Sequence, residues 1–187
     1  MQFTAIHTYQ HAADEVFAAL TDFEAMKSKY EAIGQSEVQL VRREQGDDGS
    51  VTVVTTRVVP LELPGFAKKV LAPKQHVAQT DVWSAPDGSA GRTGTFVVEA
   101  KGTPVRVQGT LQLDPRGSNG CTNTTEVTVE CKVPLIGGKI TDLVAKDTRL
   151  ALDHEHTWMS EHLALRESHG PGSTPRRRVL CWGFPCS

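Results

Sequence analysis

From Lys139 to Glu167 the chain runs without a glycine or a proline, and it enters that run from a long region whose side chains alternate every second residue. A switch of period from two to 3.6 at one point predicts strands before it and a single helix after it. At 1.5 Å per residue, a helix over 139–167 would be about 43 Å long. A helix of that length needs an apolar surface to lie on, and the alternating region before it is the natural source.

That region is preceded by a short strand and two helices. Residues 2–9 (QFTAIHTY) alternate and predict the first strand. Ala13, Val16, Phe17 and Leu20 then recur with helical spacing and form one apolar stripe. Thr21 and Glu24 have capping-box spacing, so Thr21 is the expected start of a second helix. Its stripe is Phe23, Met26, Tyr30 and Ile33, and Gly34 ends it. Six segments of period two follow, at 36–44, 51–59, 75–84, 94–101, 104–113 and 122–133. Turn-like links such as QGDDGS, APDGSAGR and DPRGSNG separate them, and Pro60 and Pro64 break the second interval. GFAKKVLAP, within that interval, reads as a short helix or a loop.

The alternation assigns faces. Glu126, Glu130 and Lys132 oppose Thr125, Val127, Val129 and Cys131. Arg106, Gln108 and Gln112 oppose Val105, Val107, Leu111 and Leu113, while Glu99 and Lys101 oppose Phe96, Val98 and Ala100. These are strands with one wet and one covered face. On 75–84 Asp81 shares the parity of Trp83, which leaves that strand's faces open. On 51–59 the uncharged residues Thr56 and Val58 are taken as the covered set. The expected fold is α+β: a curved, seven-stranded antiparallel sheet wrapped around a long C-terminal helix, with two short helices after strand 1. It spans residues 1–166, and residues 167–187, rich in Gly, Pro, Ser and Arg, are an expected disordered tail that can be removed without loss of stability.

Composition narrows the function. The net charge is −2, so no basic field draws nucleic acid or anionic lipid. The Arg176–Arg178 run belongs to the tail and reads as solvated. No apolar run reaches the roughly 20 residues that span a bilayer, and the first residues lack the basic start and apolar stretch of a signal peptide. The expected location is cytoplasmic, with no stable membrane insertion. Cys121 and Cys131 fall on one strand, about 33 Å apart end to end, too far to bond. Cys181 and Cys186 lie in the tail. His154 and His156 are two apart and point about 200° from each other on a helix, so they cannot share a metal ion. No metal and no cofactor is expected, and no nucleophile elbow, phosphate loop or dinucleotide fingerprint occurs.

On the long helix Ile140, Leu143, Val144, Leu150, Ala151, Trp158 and Leu165 gather on one side. Asp147 and His154 fall inside that cluster, two turns apart, with Glu161 continuing the ladder at its edge. An acid and an imidazole facing an apolar space could orient a ligand or move a proton. They could equally bond backbone groups or meet water at a cavity mouth.

The order of elements, with the step Lys132-Val133-Pro134-Leu135-Ile136-Gly137-Gly138-Lys139 into the last helix, resembles the START-like superfamily. This is the helix-grip or polyketide-cyclase-like fold, and within it the chain resembles an uncharacterised family. The resemblance covers about residues 1–166. It implies a cavity between sheet and helix, used across the superfamily for lipids, sterols, polyketides and hormones, and it brings no catalytic residues with it. At the junction itself, Gly137 and Gly138 are expected to make a tight connection with one of them at positive φ.

The expected function is therefore binding or transport of a hydrophobic small molecule or lipid. The expected lining is Thr56, Val58, Phe96, Val98, Val107 and Val127 from the sheet, with Val144, Asp147, Ala151, His154 and Trp158 from the helix. Two alternatives stand beside it: a cyclase or dehydratase using Asp147 and His154 as acid–base groups, and an interaction module with a solid core. The sequence leaves the ligand's identity and the oligomeric state open.

Overall fold

A computed structural model describes residues 1–169, so the expected tail lies, from residue 170 on, outside the described residues. Strand β1 (Gln2–Tyr9) leads into helices α1 (Ala13–Thr21) and α2 (Phe23–Ala32). Six strands follow: β2 (Ser36–Gln45), β3 (Val51–Pro60), β4 (Lys74–Trp83), β5 (Arg92–Ala100), β6 (Val105–Pro115) and β7 (Cys121–Cys131). Helix α3 (Gly137–His169) closes the order. The sheet runs β1-β7-β6-β5-β4-β3-β2, and every neighbouring pair is antiparallel. This is the helix-grip arrangement: a single open sheet, two short helices after the first strand, and a long final helix against the concave face. The connection from β3 to β4 carries a 3-10 turn at Ala67–Lys69. Cys121 and Cys131 sit at opposite ends of β7 as free thiols.

The two short helices start as their sequences demand, with one shift. The Ala12 amide donates to the Glu15 carboxylate at 3.0 Å, and Asp14 and Glu15 in the first turn of α1 suit its dipole. Asp22, not Thr21, caps α2: its Oδ2 accepts from the Ala25 amide at 2.9 Å. Thr21 instead ends α1, buried, with its hydroxyl donating to the Phe17 carbonyl at 2.9 Å. The Thr21 hydroxyl is directed back into its own helix, and the side chain that reaches the first amides of α2 is that of Asp22.

Apolar packing is divided. One cluster, built on Tyr9, Val16, Phe17, Met26, Tyr30, Trp83, Leu113 and Met159, joins α1 and α2 to one end of the sheet and to α3. A second joins Phe96, Val107, Val127 and Val129 to Ala145 of α3. A third packs Ala67 and Leu71 of the β3–β4 connection on Ile140. The helix is thus held at both ends and along one flank. Gly109 on β6 has no room for a side chain, because a Cβ there would overlap the Glu126 carbonyl oxygen and crowd the Phe96 ring.

The junction before α3 differs from expectation. Positive φ falls on Leu135 (φ 68), whose side chain is fully exposed, while Gly137 and Gly138 already belong to the helix. Glycine is needed at 137 for a different reason. A Cβ there would lie 2.9 Å from the Cys131 carbonyl oxygen, so the first turn of α3 abuts the end of β7 backbone to backbone. At Gly138 an added Cβ meets nothing within 4 Å.

The two glycines should therefore respond in opposite directions. Gly137→Ala should destabilise by about 1–3 kcal/mol through the backbone clash. Gly138→Ala should be neutral or stabilise by up to about 1 kcal/mol through helix propensity. Urea denaturation of the two variants checks this, and equal effects would contradict it.

Candidate functional site

Between the concave face and α3 lies a cavity of about 250 Å³. Its wall is built from alternate residues of five strands. β4 contributes Gln75, Val77, Gln79, Asp81 and Trp83, all of one parity. β3 contributes Arg57 and Val59, β5 Phe96, Val98 and Ala100, β6 Val105, Val107 and Leu111, and β7 Asn123 and Thr125. Helix α3 supplies Val144, Asp147, Thr148, Ala151, Leu152 and Glu155, and α2 supplies Met26, Lys29 and Tyr30.

Six of the eleven residues expected at the site line this space: Phe96, Val98, Val107, Val144, Asp147 and Ala151. Val127 points the same way but is buried in the packing beneath α3. Thr56 and Val58 lie on the other face of β3, where with His76 and Glu99 they border a separate groove on the convex side. The inward parity of β3 is that of Val53, Thr55 and Arg57. His154 is exposed, and Trp158 stacks on His162 with ring centroids 4.6 Å apart, outside the cavity wall. Leu150 and Leu165 are exposed as well. The buried face of α3 is centred on Ala145, Leu152 and Met159, so Asp147 sits at its edge, His154 turns outward, and Glu155 turns in.

The wall has two characters. Most of it is apolar. At one end it carries a connected set of buried polar and charged groups that the expected site did not include. Lys29 Nζ meets Glu155 Oε2 at 2.6 Å, tying α2 to α3. Arg57 Nε donates to Gln35 Oε1 at 2.5 Å, and its Nη2 donates to Gln79 Oε1 at 2.7 Å. Gln79 Nε2 in turn donates to both oxygens of Asp81, at 2.8 and 3.0 Å. The Tyr30 ring lies under both cations, 4.1 Å from the Arg57 guanidinium and 4.6 Å from Lys29 Nζ. Among the fully buried side-chain atoms of this set Arg57 Nη1 has no hydrogen-bond partner, and on β7 Asn123 Oδ1 has none either.

Burial sets the protonation of these groups. It pushes the Asp81 carboxyl up to about 6, against the opposing pull of the Gln79 hydrogen bonds and of Lys29 and Arg57. It also raises the Tyr30 phenol. Burial alone would lower the Lys29 ammonium, but Glu155 outweighs it and Lys29 ends above its ordinary value. Asp147 is raised by partial burial, with Lys146 opposing and Glu62 reinforcing. Together these groups can hold a polar ligand atom, or hold and release a proton near neutral pH, beside an apolar chamber.

The comparisons agree with this architecture. A family model described as "Protein of unknown function (DUF2505)" matches residues 4–163. An "Uncharacterized protein" of Mycobacterium tuberculosis is 28% identical over 142 residues, covering 73% of this chain and 81% of its own. The crystal structure of Zhui aromatase/cyclase from Streptomyces sp. R1128 is similar with a TM-score of 0.63 at 10% identity, over 91% of this chain and 98% of that one. Human STARD10 is similar with a TM-score of 0.59 at 13% identity, over 90% of this chain and 66% of that one. At such identities the two structures show a shared START-like fold and nothing finer.

Asp81 leads to a pH test. Folded Asp81 keeps its proton up to about pH 6, whereas in the unfolded chain it loses it near pH 4. Between those values the folded state binds more protons, so this group's contribution to stability falls as pH rises from about 4 to about 6 and is flat above. Asp81→Asn should remove a loss of about 3 kcal/mol across that window. Unfolding free energies of both proteins at pH 4 and pH 7 check it. Parallel profiles would contradict it.

Proposed function

The chain belongs to the DUF2505 family, and from that premise we propose that it binds a hydrophobic small molecule in the cavity between its sheet and α3. The observation carrying this reading is the cavity itself: about 250 Å³ with a mainly apolar wall, beneath a helix that could instead have closed onto the sheet. Close packing is the default for protein interiors, and concave, mostly apolar sites with a few convergent polar groups are where small ligands bind. The space is small, close to the volume of about eight waters at ~30 Å³ each, which suits a ligand of roughly ten non-hydrogen atoms. Among the described residues no helix is long and apolar enough to cross a membrane.

A second reading, an enzyme of the cyclase or dehydratase type, is favoured by one observation. Burial inside the cavity pushes the Asp81 carboxyl up to about 6, and Tyr30 lines the same wall. In that reading the acid–base groups are not the pair expected from helical spacing, since His154 faces solvent. A module with a solid core fits the cavity least well.

Filling the chamber separates these outcomes. Ala151→Phe puts a ring into the cavity from α3. If the space is a ligand site, displacement of a bound fluorescent apolar dye should show affinity reduced about 10-fold or more, with thermal stability unchanged or raised. If the wall is packed core, the same ring should cost about 1–3 kcal/mol of stability. Lost stability with unchanged dye binding would overturn the proposal.

A further inference from the structure

We infer that the charged end of the cavity receives the carboxylate of an amphipathic ligand, with Arg57 as its anchor and the apolar wall holding its hydrocarbon body. This rests on the ligand-binding reading above and adds the chemical class.

Arg57 carries the argument. Its side chain lines the cavity and is only 7% exposed. A guanidinium has five N–H donors in a fixed fork. Here Nε is committed to Gln35 and Nη2 to Gln79, while the Tyr30 ring covers one face. Nη1 is buried and has no hydrogen-bond partner. Leaving buried charged donors unpaired is costly and rare in folded proteins. A ligand oxygen on Nη1 removes that cost.

The hydrogen bonds around Arg57, rather than its net charge environment, leave a place for a ligand oxygen. Around it stand Lys29 and Tyr30 from α2, Asp81 from β4, Glu155 from α3 and, on the convex-side groove, Glu37 of the paired strand β2. Glu155 is already held by Lys29 at 2.6 Å. Asp81 reaches Arg57 only through Gln79, which occupies both of its oxygens. No carboxylate among the described residues is hydrogen-bonded to the guanidinium directly. Gln79 donates to both Asp81 oxygens and Lys29 holds Glu155, so the buried atom without a hydrogen bond at this end is a donor, Arg57 Nη1. An alcohol can accept from Nη1, but a carboxylate makes a charge-assisted bond there, and those are the stronger ones.

The apolar body has a defined path. Arg57 pairs with Val77, and Val77 with Ala100, so the row beside the guanidinium turns apolar at once. Val98 and Val107 continue the wall in the next row. A short, unbranched chain of about eight carbons fits the volume.

The test uses octanoate, 1-octanol and octylamine as probes of the full-length protein by titration calorimetry. Octanoate should bind about 10-fold or more tighter than either of the others. In Arg57→Gln that preference should collapse, octanoate and octanol converging. Gln35→Glu guards against a folding defect in the first variant. It keeps an oxygen on Nε and sets a carboxylate beside the guanidinium, so octanoate should weaken about 10-fold while octanol does not follow. Octanol or octylamine binding as tightly as octanoate would overturn the inference and leave the cavity reading standing, as would an octanoate preference that survives both substitutions. If none of the three probes binds, both fail.

Discussion

Lys29 and Glu155 meet at 2.6 Å inside the protein, and most of the architecture around the cavity depends on that contact. Taking two charges out of water costs several kcal/mol each, and the attraction between them repays this only when the geometry is good. The pair therefore fixes where α2 crosses α3. Tyr30, beside Lys29, is carried against Arg57, and Arg57 orders Gln35 and Gln79. These groups demand hydrogen-bond geometry, so the helix cannot slide down onto the sheet at this end. At the other end the backbone of Gly137 abuts Cys131. A helix pinned at both ends spans the concave face without filling it, and the cavity lies in between.

The sequence shows much of this fold and little of the site, for one reason. Period-two patterns reveal faces when one face is charged and the other apolar. That holds for β5, β6 and β7, where Phe96, Val98, Val107 and Thr125 line the cavity as their parity predicts. On β3 and β4 the inward face carries Arg57, Gln79 and Asp81, so the rule that charge faces out selects Thr56 and Val58 instead. The signal was present. Gln75, Val77, Gln79, Asp81 and Trp83 share one parity, and a strand whose large aromatic is accompanied by three polar residues is one that buries polar groups. On α3 the seven-residue ladder from Asp147 to His154 drifts by about 20° on an ideal helix, and Glu155 replaces His154 on the inner face. Its partner Lys29 lies on another helix, far away in sequence, and no local pattern connects them.

A carrier and an enzyme share these features up to a point. Fold alone decides neither, and the START-like neighbours differ from this chain at more than four positions in five. What this chain adds is its own asymmetry: an apolar chamber with one buried, incompletely paired guanidinium at its end. Buried polar groups cost stability, and a chain selected only for a stable core would do better with apolar side chains there. Arg57, Gln79 and Asp81 at the cavity wall are the groups that the proposed binding would use.

The most direct measurement is native mass spectrometry of the full-length protein purified from its own source, followed by release and identification of whatever is bound. The account predicts one small acidic molecule per chain, mostly hydrocarbon, of roughly ten non-hydrogen atoms. A protein that retains nothing, under conditions that keep added octanoate bound, would contradict it. So would a co-purifying ligand that is cationic or too large for the cavity.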